Sequence, residues 1–536
     1  MIKRVCFALA LLVCLSLAPA IAQDNYPRNS AIDVIHYLIS IDLDDSSDEI
    51  KATTTILIRF NEDNVKEISL DFSGFEVDFV AQAGSYEPNR INYAREGDKL
   101  RIPLKGNNKR GDEYSILVKY HGRPTDGLFI KKNKFGDRTI FADNWPNRAH
   151  YWFPSIDHPY DKAKVDFLVT APATYDVIAN GALLTTSALN GSRIWHWREE
   201  VPIPVYCMVI GATKFAIKYE NAWKGLQLSY YLYSKDFNNG LKDYGRAAQM
   251  LEFYANLIDP FPYEKLALVQ SSTRFGGMEN SSAIFFDENA FNGSGRLEGT
   301  VAHEIVHQWF GDSVTEADWH HLWLSESFAQ YFGHVFFERA DGRDKFVRLM
   351  LEDKQAYLDA YGTNPRPIYD PSITNLFDLL NRNNYQKGAW VLHMLRHLMG
   401  DEKFFEGIRD YYRSYRDRNA LTIDFQRVME RHAGRSLEWF FNEWIFEPGY
   451  PVYDATWLWD VNAKQLTLRI RQTQEKTVFQ MPLDVEIKLG NTARREVIEM
   501  NEREQVFTFK LAAKPTSISI DPDEWVLKVL NLTEAK

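Results

Sequence analysis

Cysteine is nearly missing. The chain of 536 residues holds three, and Cys6 and Cys14 both sit in an apolar N-terminal run. Cys207 is left alone in Val205-Tyr206-Cys207-Met208-Val209-Ile210, where it reads as a buried structural thiol. A disulfide scaffold is therefore excluded, and stability must come from core burial. Positive charge is not in surplus either. With 62 Lys and Arg against 73 Asp and Glu, the net charge is −11, which excludes a broad phosphate-neutralising face and a nucleic-acid partner. Long apolar runs are absent: Val5 to Leu17, at about 13 residues, falls short of the roughly 20 needed to span a bilayer, and no later stretch does better. There is no internal repeat and no low-complexity linker. An apolar share of 45% with 25% charged residues is that of an ordinary globular protein, which excludes disorder and collagen-like repeats.

What is present begins with a processing signal. Lys3 and Arg4, the apolar run and Ala20-Ile21-Ala22 follow the order of a secretory signal peptide over residues 1–22, cut after Ala22. An exported chain left with one cysteine fits a bacterial periplasm or exterior. Nothing in the sequence specifies an oligomeric state.

Beyond the signal the chain divides by pattern into three regions of a multidomain α+β protein. Over 23–217 the period is two: Tyr37, Ile39, Ile41 and Leu43 alternate with Leu38, Ser40, Asp42 and Asp44, and Thr53–Phe60, Glu67–Phe72 and Val165–Thr170 are further short runs. An antiparallel β domain is expected there. Over 218–446 helical spacing takes over, first at Tyr244, Ala248, Leu251, Ala255 and Ile258, then in helices expected at 297–310, 324–340, 344–361, 386–399 and 422–445. Over 447–536 the strand period returns at Leu466, Leu468 and Ile470, giving an expected small β-sandwich.

The chemistry is concentrated in the middle region. In His303-Glu304-Ile305-Val306-His307 the histidines stand four apart, on one face of a helix, where two imidazoles can grip one Zn²⁺ while the glutamate reaches a water beside it. A catalytic zinc wants three protein ligands and one open position. Glu326, in Trp323-Leu324-Ser325-Glu326-Ser327, opens the next expected helix, placed to pack back and complete the set.

These motifs resemble the gluzincin aminopeptidases, peptidase family M1. Gly276-Gly277-Met278-Glu279-Asn280 matches that family's Gly-x-Met-Glu-Asn, the zinc motif continues as His307-Gln308-Trp309-Phe310-Gly311, and Tyr385-Gln386-Lys387-Gly388-Ala389 matches Tyr-x-Lys-Gly-Ala. Weaker likenesses run from His36-Tyr37 through Pro154-x-x-Asp157-x-Pro159 to Gly449-Tyr450-Pro451. The resemblance implies a thermolysin-like catalytic domain with one Zn²⁺ on His303, His307 and Glu326. It implies Glu304 as general base, Tyr385 as donor to the developing oxyanion, and Glu279 as the carboxylate that recognises a free α-ammonium. Gly276 to Asn280 would lie along the substrate strand. The expected activity is release of N-terminal residues from peptides with a free N-terminus. The rivals are a thermolysin-like zinc endopeptidase, which has no use for Glu279, and a catalytically silent peptide-binding protein; epoxide hydrolysis has no specific support.

The match departs from the family in four places. Trp145, in Asp143-Asn144-Trp145-Pro146, stands where many members carry a second amine-binding residue, leaving Asp143, Asn144 or a cation–π contact to help Glu279. Gly333 replaces an acid that buttresses a zinc histidine, so Asp318 or a backbone carbonyl is expected to orient that ring. His320 and His321 replace acidic or amide residues and read as structural. The large helical C-terminal domain of many relatives is not expected after the β-sandwich, which would leave the cleft more open.

Overall fold

The computed structural model describes residues 24–84, 89–362 and 365–535, so the expected signal peptide lies outside the described residues. Alternation builds the first sheet. In Ile32–Asp42 the side chains of Tyr37, Ile39 and Ile41 are buried, as the period of two requires, and a register shift between Val34 and His36 lets Val34 be buried out of that phase. The sheet has eight strands in the order Ala182–Leu189, Ser192–Pro204, Lys162–Pro172, Ile32–Asp42, Ile50–Phe60, Glu113–Gly122, Glu76–Gln82 and Asn89–Arg90. The expected all-antiparallel pairing needs one correction: Ile32–Asp42 runs parallel to Lys162–Pro172. A parallel pair needs a long crossover, and residues 43–161 supply it by folding four more strands of the same sheet and much of its neighbours.

The middle region opens with a mixed five-stranded sheet, ordered Ala216–Asn221, Gln227–Leu232, Lys265–Ser271, Ala283–Asp287 and Gly277–Met278. Helices follow: α1 (Ala247–Leu257), α2 (Glu298–His307), α3 (Trp323–Asp341), α4 (Arg343–Tyr361), α5 (Gly388–Met399), α6 (Asp401–Tyr415) and α7 (Thr422–Ala433). Helix α6 was not expected. Its Phe404, Ile408, Tyr411 and Tyr412 are spaced for one buried face, but the dense charges around them hide that face in the sequence. The single helix expected over 422–445 is broken. Gly434 takes the left-handed conformation, φ +73°, that caps α7, and helix resumes only at Glu438–Phe441.

The C-terminal strands form two sheets, Glu504–Lys510, Gln465–Gln472, Val452–Asp460 and Val529–Glu534 in one, and Thr492–Met500, Met481–Leu489 and Ser517–Ile520 in the other. The protein is thus β-rich at its N-terminal end, helical in the middle and stranded at its C-terminal end. Among the described residues no helix is long and apolar enough to cross a membrane.

What the N-terminal strands do for the middle region is concentrated on a few buried bonds. Lys162 Nζ donates to the carbonyls of Asp312 and Ser313 at 2.9 and 2.7 Å. Asn180 Nδ2 donates to the Ser281 and Cys207 carbonyls at 2.6 and 2.8 Å, while Asn180 Oδ1 accepts from Val209 N at 2.7 Å. Asn180 is fully buried, so Asn180→Ala strands three backbone groups. We expect a loss of about 3 kcal/mol, read as a lowered urea midpoint at unchanged slope. An unchanged midpoint would show that water replaces the amide without cost.

Candidate metal centre and active site

Helix α2 carries both histidines on one face, with ring centroids 4.7 Å apart and Nε2 atoms 3.0 Å apart. The first turn of α3 brings Glu326, whose Oε2 lies 3.2 Å from His303 Nε2 and 3.3 Å from His307 Nε2. The ring orientation of His307 is set behind it. Its Nδ1 lies 3.1 Å from the Phe310 carbonyl, which can only accept, so the proton sits on Nδ1 and the Nε2 lone pair faces inward. Ser325 Oγ lies 3.0 Å from the same nitrogen. Of the two orienting groups expected, then, a backbone carbonyl serves His307. Asp318 is occupied elsewhere, accepting from Asp24 N at 2.7 Å and His320 N at 2.9 Å.

A second cluster overlaps the first: Glu279, Glu304 and His307 also have atoms all within 4.8 Å of one another. Burial, reinforced by Glu279 and Glu326, pushes the Glu304 carboxyl well above the usual carboxylate range. Burial likewise raises Glu279. Glu326 goes the other way, because the two imidazoles outweigh its burial. Against its own burial, His307 is drawn upward by the carboxylates of Glu279 and Glu326. Three buried carboxylates around two imidazoles, with convergent lone pairs and surplus negative charge, form a donor set that fits a divalent cation.

The glycine-rich segment forms the short edge strand Gly277–Met278, antiparallel to Phe285–Phe286. A Cβ added to Gly277 would sit 2.2 Å from Glu304 Oε1, so this strand can lie against the glutamate only because the side chain is missing. At Gly276 the same position meets open space. Met278 and Asn280 are buried, and Asn280 Nδ2 is folded back toward the Met278 carbonyl at 3.5 Å. The structure therefore brings Gly277 and Glu279 to the cluster, with Met278 and Asn280 as support. Gln308, next to His307, was quoted in the sequence only as part of the motif. Its Nε2 donates to the Glu279 carbonyl at 2.6 Å and its Oε1 accepts from Ser282 N at 2.7 Å, so one side chain ties the zinc-motif helix to the Glu279 loop.

Tyr385 comes from a π-helical turn, Asn383–Lys387, and its ring lies parallel to His303, 5.9 Å away. Burial, with Glu326 beside it, pushes the phenol well above its usual pKa and keeps it a donor. The Lys-Gly part of the motif is structural. Lys387 Nζ, buried, donates to the Glu447 carbonyl at 3.0 Å. A Cβ on Gly388 would fall 1.7 Å from Ser327 Oγ, so glycine lets the turn press onto α3.

Comparison with known proteins bears on the same residues. The Peptidase M1 N-terminal domain matches residues 34–207, and the Peptidase family M1 domain matches residues 242–444, which spans both histidines, Glu279, Glu326 and Tyr385. The chain belongs to peptidase family M1. It is 31% identical over 410 residues to the Tricorn protease-interacting factor F2 of Thermoplasma acidophilum, covering 72% of this chain and 50% of that one. It is 26% identical over 445 residues to a probable aminopeptidase 2 of Sulfurisphaera tokodaii, covering 78% and 55%. To the glutamyl aminopeptidase of Sus scrofa it is 24% identical over 393 residues, covering 68% and 40%. The chain spans about half the length of the curated relatives it matches.

Within the M1 pattern, Trp145 is buried edge-on against Phe275, Trp319 and Phe377 at 6.0, 5.7 and 5.6 Å between ring centroids. Asn144 is not free to help with a substrate amine: its Nδ2 donates to the Met208 carbonyl at 2.7 Å and its Oδ1 accepts from Trp152 Nε1 at 2.8 Å. Asp143 pairs with Arg148 through Oδ1, while its Oδ2 lies 3.8 Å from Arg274 Nε and has no hydrogen-bond partner among the described residues. His320 and His321 are tied into the core, His320 Nε2 to the Ile373 carbonyl at 2.9 Å and His321 Nδ1 to Thr422 Oγ1 at 2.8 Å. Gly277→Val should evict the Glu304 side chain from its position while the chain still folds. A variant crystal structure with Glu304 unmoved would contradict the close approach.

Proposed function

We propose that the chain is a zinc aminopeptidase that hydrolyses the N-terminal bond of peptides with a free amine. The thermolysin-like catalytic domain is assigned to 218–446, the β domain to 23–217 and a small β-sandwich to 447–536. Export through a signal peptide over residues 1–22, to the periplasm or beyond, belongs to the same reading. The observation that carries it is the position of Glu279. Its carboxylate shares a cluster with Glu304 and His307 within 4.8 Å, so an ammonium held there places the next carbonyl beside the metal ligands. An endopeptidase would have to bury that charge against an uncharged backbone, which is costly.

His303, His307 and Glu326 would hold the ion, with Phe310 and Ser325 fixing the His307 ring. Bound there, Zn²⁺ supplies a Lewis acid that makes water nucleophilic near neutral pH and polarises the scissile carbonyl. Glu304, raised by burial, takes the proton from the attacking water and passes it to the leaving amine. Tyr385 donates its hydroxyl proton in a hydrogen bond to the carbonyl oxygen as negative charge grows on it. Gly277 keeps Glu304 and the substrate strand in contact.

The purified chain should bind one Zn²⁺, and Glu326→Gln should weaken that binding by more than about 100-fold in a chelator competition. Aminoacyl fluorogenic amides should be cleaved and their N-acetylated counterparts spared. Glu304→Gln should lower kcat by about 10³ or more, and Tyr385→Phe by about 10². Equal cleavage of acetylated substrates would sink the role of Glu279 and favour an endopeptidase. Zinc binding without any cleavage would favour the peptide-binding protein.

A further inference from the structure

The turn that follows Glu279 is strained. Ala283 N donates to the Asn280 carbonyl at 2.9 Å, which closes a turn with Ser282 at its third position. Ser282 has φ +61°, in the left-handed region where a Cβ crowds the backbone and where a turn ordinarily places glycine or asparagine. Among the described residues eight other than glycine have positive φ, and Ser282 is the only one of them within three residues of a member of the cluster. Such strain persists only where the surroundings fix it from several sides, and it gathers at functional sites.

Every polar atom of Ser282 is held. Its N donates to Gln308 Oε1 at 2.7 Å, and its carbonyl accepts from Ala267 N at 3.0 Å and from Lys265 Nζ at 2.9 Å. Its hydroxyl donates to Glu199 Oε2 at 3.1 Å and accepts from Gly181 N at 2.7 Å. Ser282, Glu199 and Lys265 are all buried, so these bonds are not exchanged freely for water. Glycine would take the same φ without strain, but it has no hydroxyl. What serine adds is therefore the pair of bonds to Glu199, on the strand Ser192–Pro204, and to Gly181, just before the strand Ala182–Leu189. The Gln308 side chain that receives Ser282 N also donates to the Glu279 carbonyl at 2.6 Å. Glu279 and Ser282 are thus clamped on one amide, and the hydroxyl fixes the pair against the N-terminal strands.

We infer that Ser282 is a positioning residue for Glu279. Its hydroxyl, held between Glu199 and Gly181, sets where the Glu279 carboxylate stands relative to Glu304 and His307, and so how well a substrate ammonium fits. This rests on the aminopeptidase reading, and the test separates the two.

The measurement is KM, kcat and zinc affinity with alanyl p-nitroanilide as substrate, in the wild-type chain, Ser282→Gly, Glu279→Gln and the double variant. Ser282→Gly removes the hydroxyl and relieves the strain, so the turn can still form. We expect it to raise KM by about tenfold, more than it lowers kcat, and to leave zinc affinity unchanged. In the Glu279→Gln background, where KM is already raised, the same change should add less than about twofold, because the carboxylate it positions is gone. Glu199→Met, which removes the acceptor of the hydroxyl, should raise KM in the same direction and carries the test if Ser282→Gly does not fold. A wild-type KM in Ser282→Gly would overturn the inference, since the backbone angle alone would then account for the residue. So would an equal rise of KM in the Glu279→Gln background, or a joint fall of kcat, zinc affinity and urea midpoint, which marks a structural role. If the wild type leaves the substrate uncut, or Glu279→Gln leaves KM unchanged, the aminopeptidase reading falls first and the role of Ser282 with it.

Discussion

The packing of α2 against α3 governs the rest of the site. His303 and His307 are placed by helical geometry alone, but Glu326 reaches them only if the two helices approach closely and in register. At Gly333 of α3 a Cβ would meet His303 N at 3.6 Å, an ordinary van der Waals distance, which measures how closely the two helices lie. The same closeness puts Ser325 on the back of the His307 ring, so the helix that brings Glu326 to the cluster also helps orient His307. Ser327, one turn face further, accepts the pressure of Gly388 and thereby seats Tyr385. One helix pair thus sets ligand convergence, ring orientation and the position of the phenol.

The remaining carboxylate of the cluster, Glu279, belongs to a different layer and is held by different means. Its strand is an edge of the mixed sheet, which gives it backbone pairing on one side only. Gln308 fastens the loop to α2, and Asn180 fastens it to the N-terminal sheet through the Ser281 carbonyl. The N-terminal strands are therefore part of the site's construction and not a separate appendage. Burial of so many carboxylates near His307 carries a cost in the absence of a countercharge, which is the usual mark of a site built for function over stability.

Much of the site was legible because its chemistry is local. Four-residue spacing on a helix is enough to pair His303 with His307 and to set Glu304 beside them, and the strand and helix periods were enough to divide the chain into its three regions. Where local pattern competed with charge, it failed: α6 carries its buried face among acids and bases, and Gly434 stops a helix that composition would have continued. The parallel contact between Ile32–Asp42 and Lys162–Pro172 was invisible for another reason, since strand period says nothing about which distant strand becomes a neighbour.

The sequence by itself determined which side chains are the candidates for the chemistry, because a metal-ligating pair with a carboxylate beside it demands particular residue types at short, regular spacing, and the family motifs point to Glu279 and Tyr385. The tertiary structure decided how those side chains are held. That Asp318 is taken up by Asp24, that the Asn144 amide is held by the Met208 carbonyl, and that Gly277 lies against Glu304 all depend on contacts between segments well separated in the chain. Such contacts follow from burying whole faces together, and no short stretch of residues contains that information.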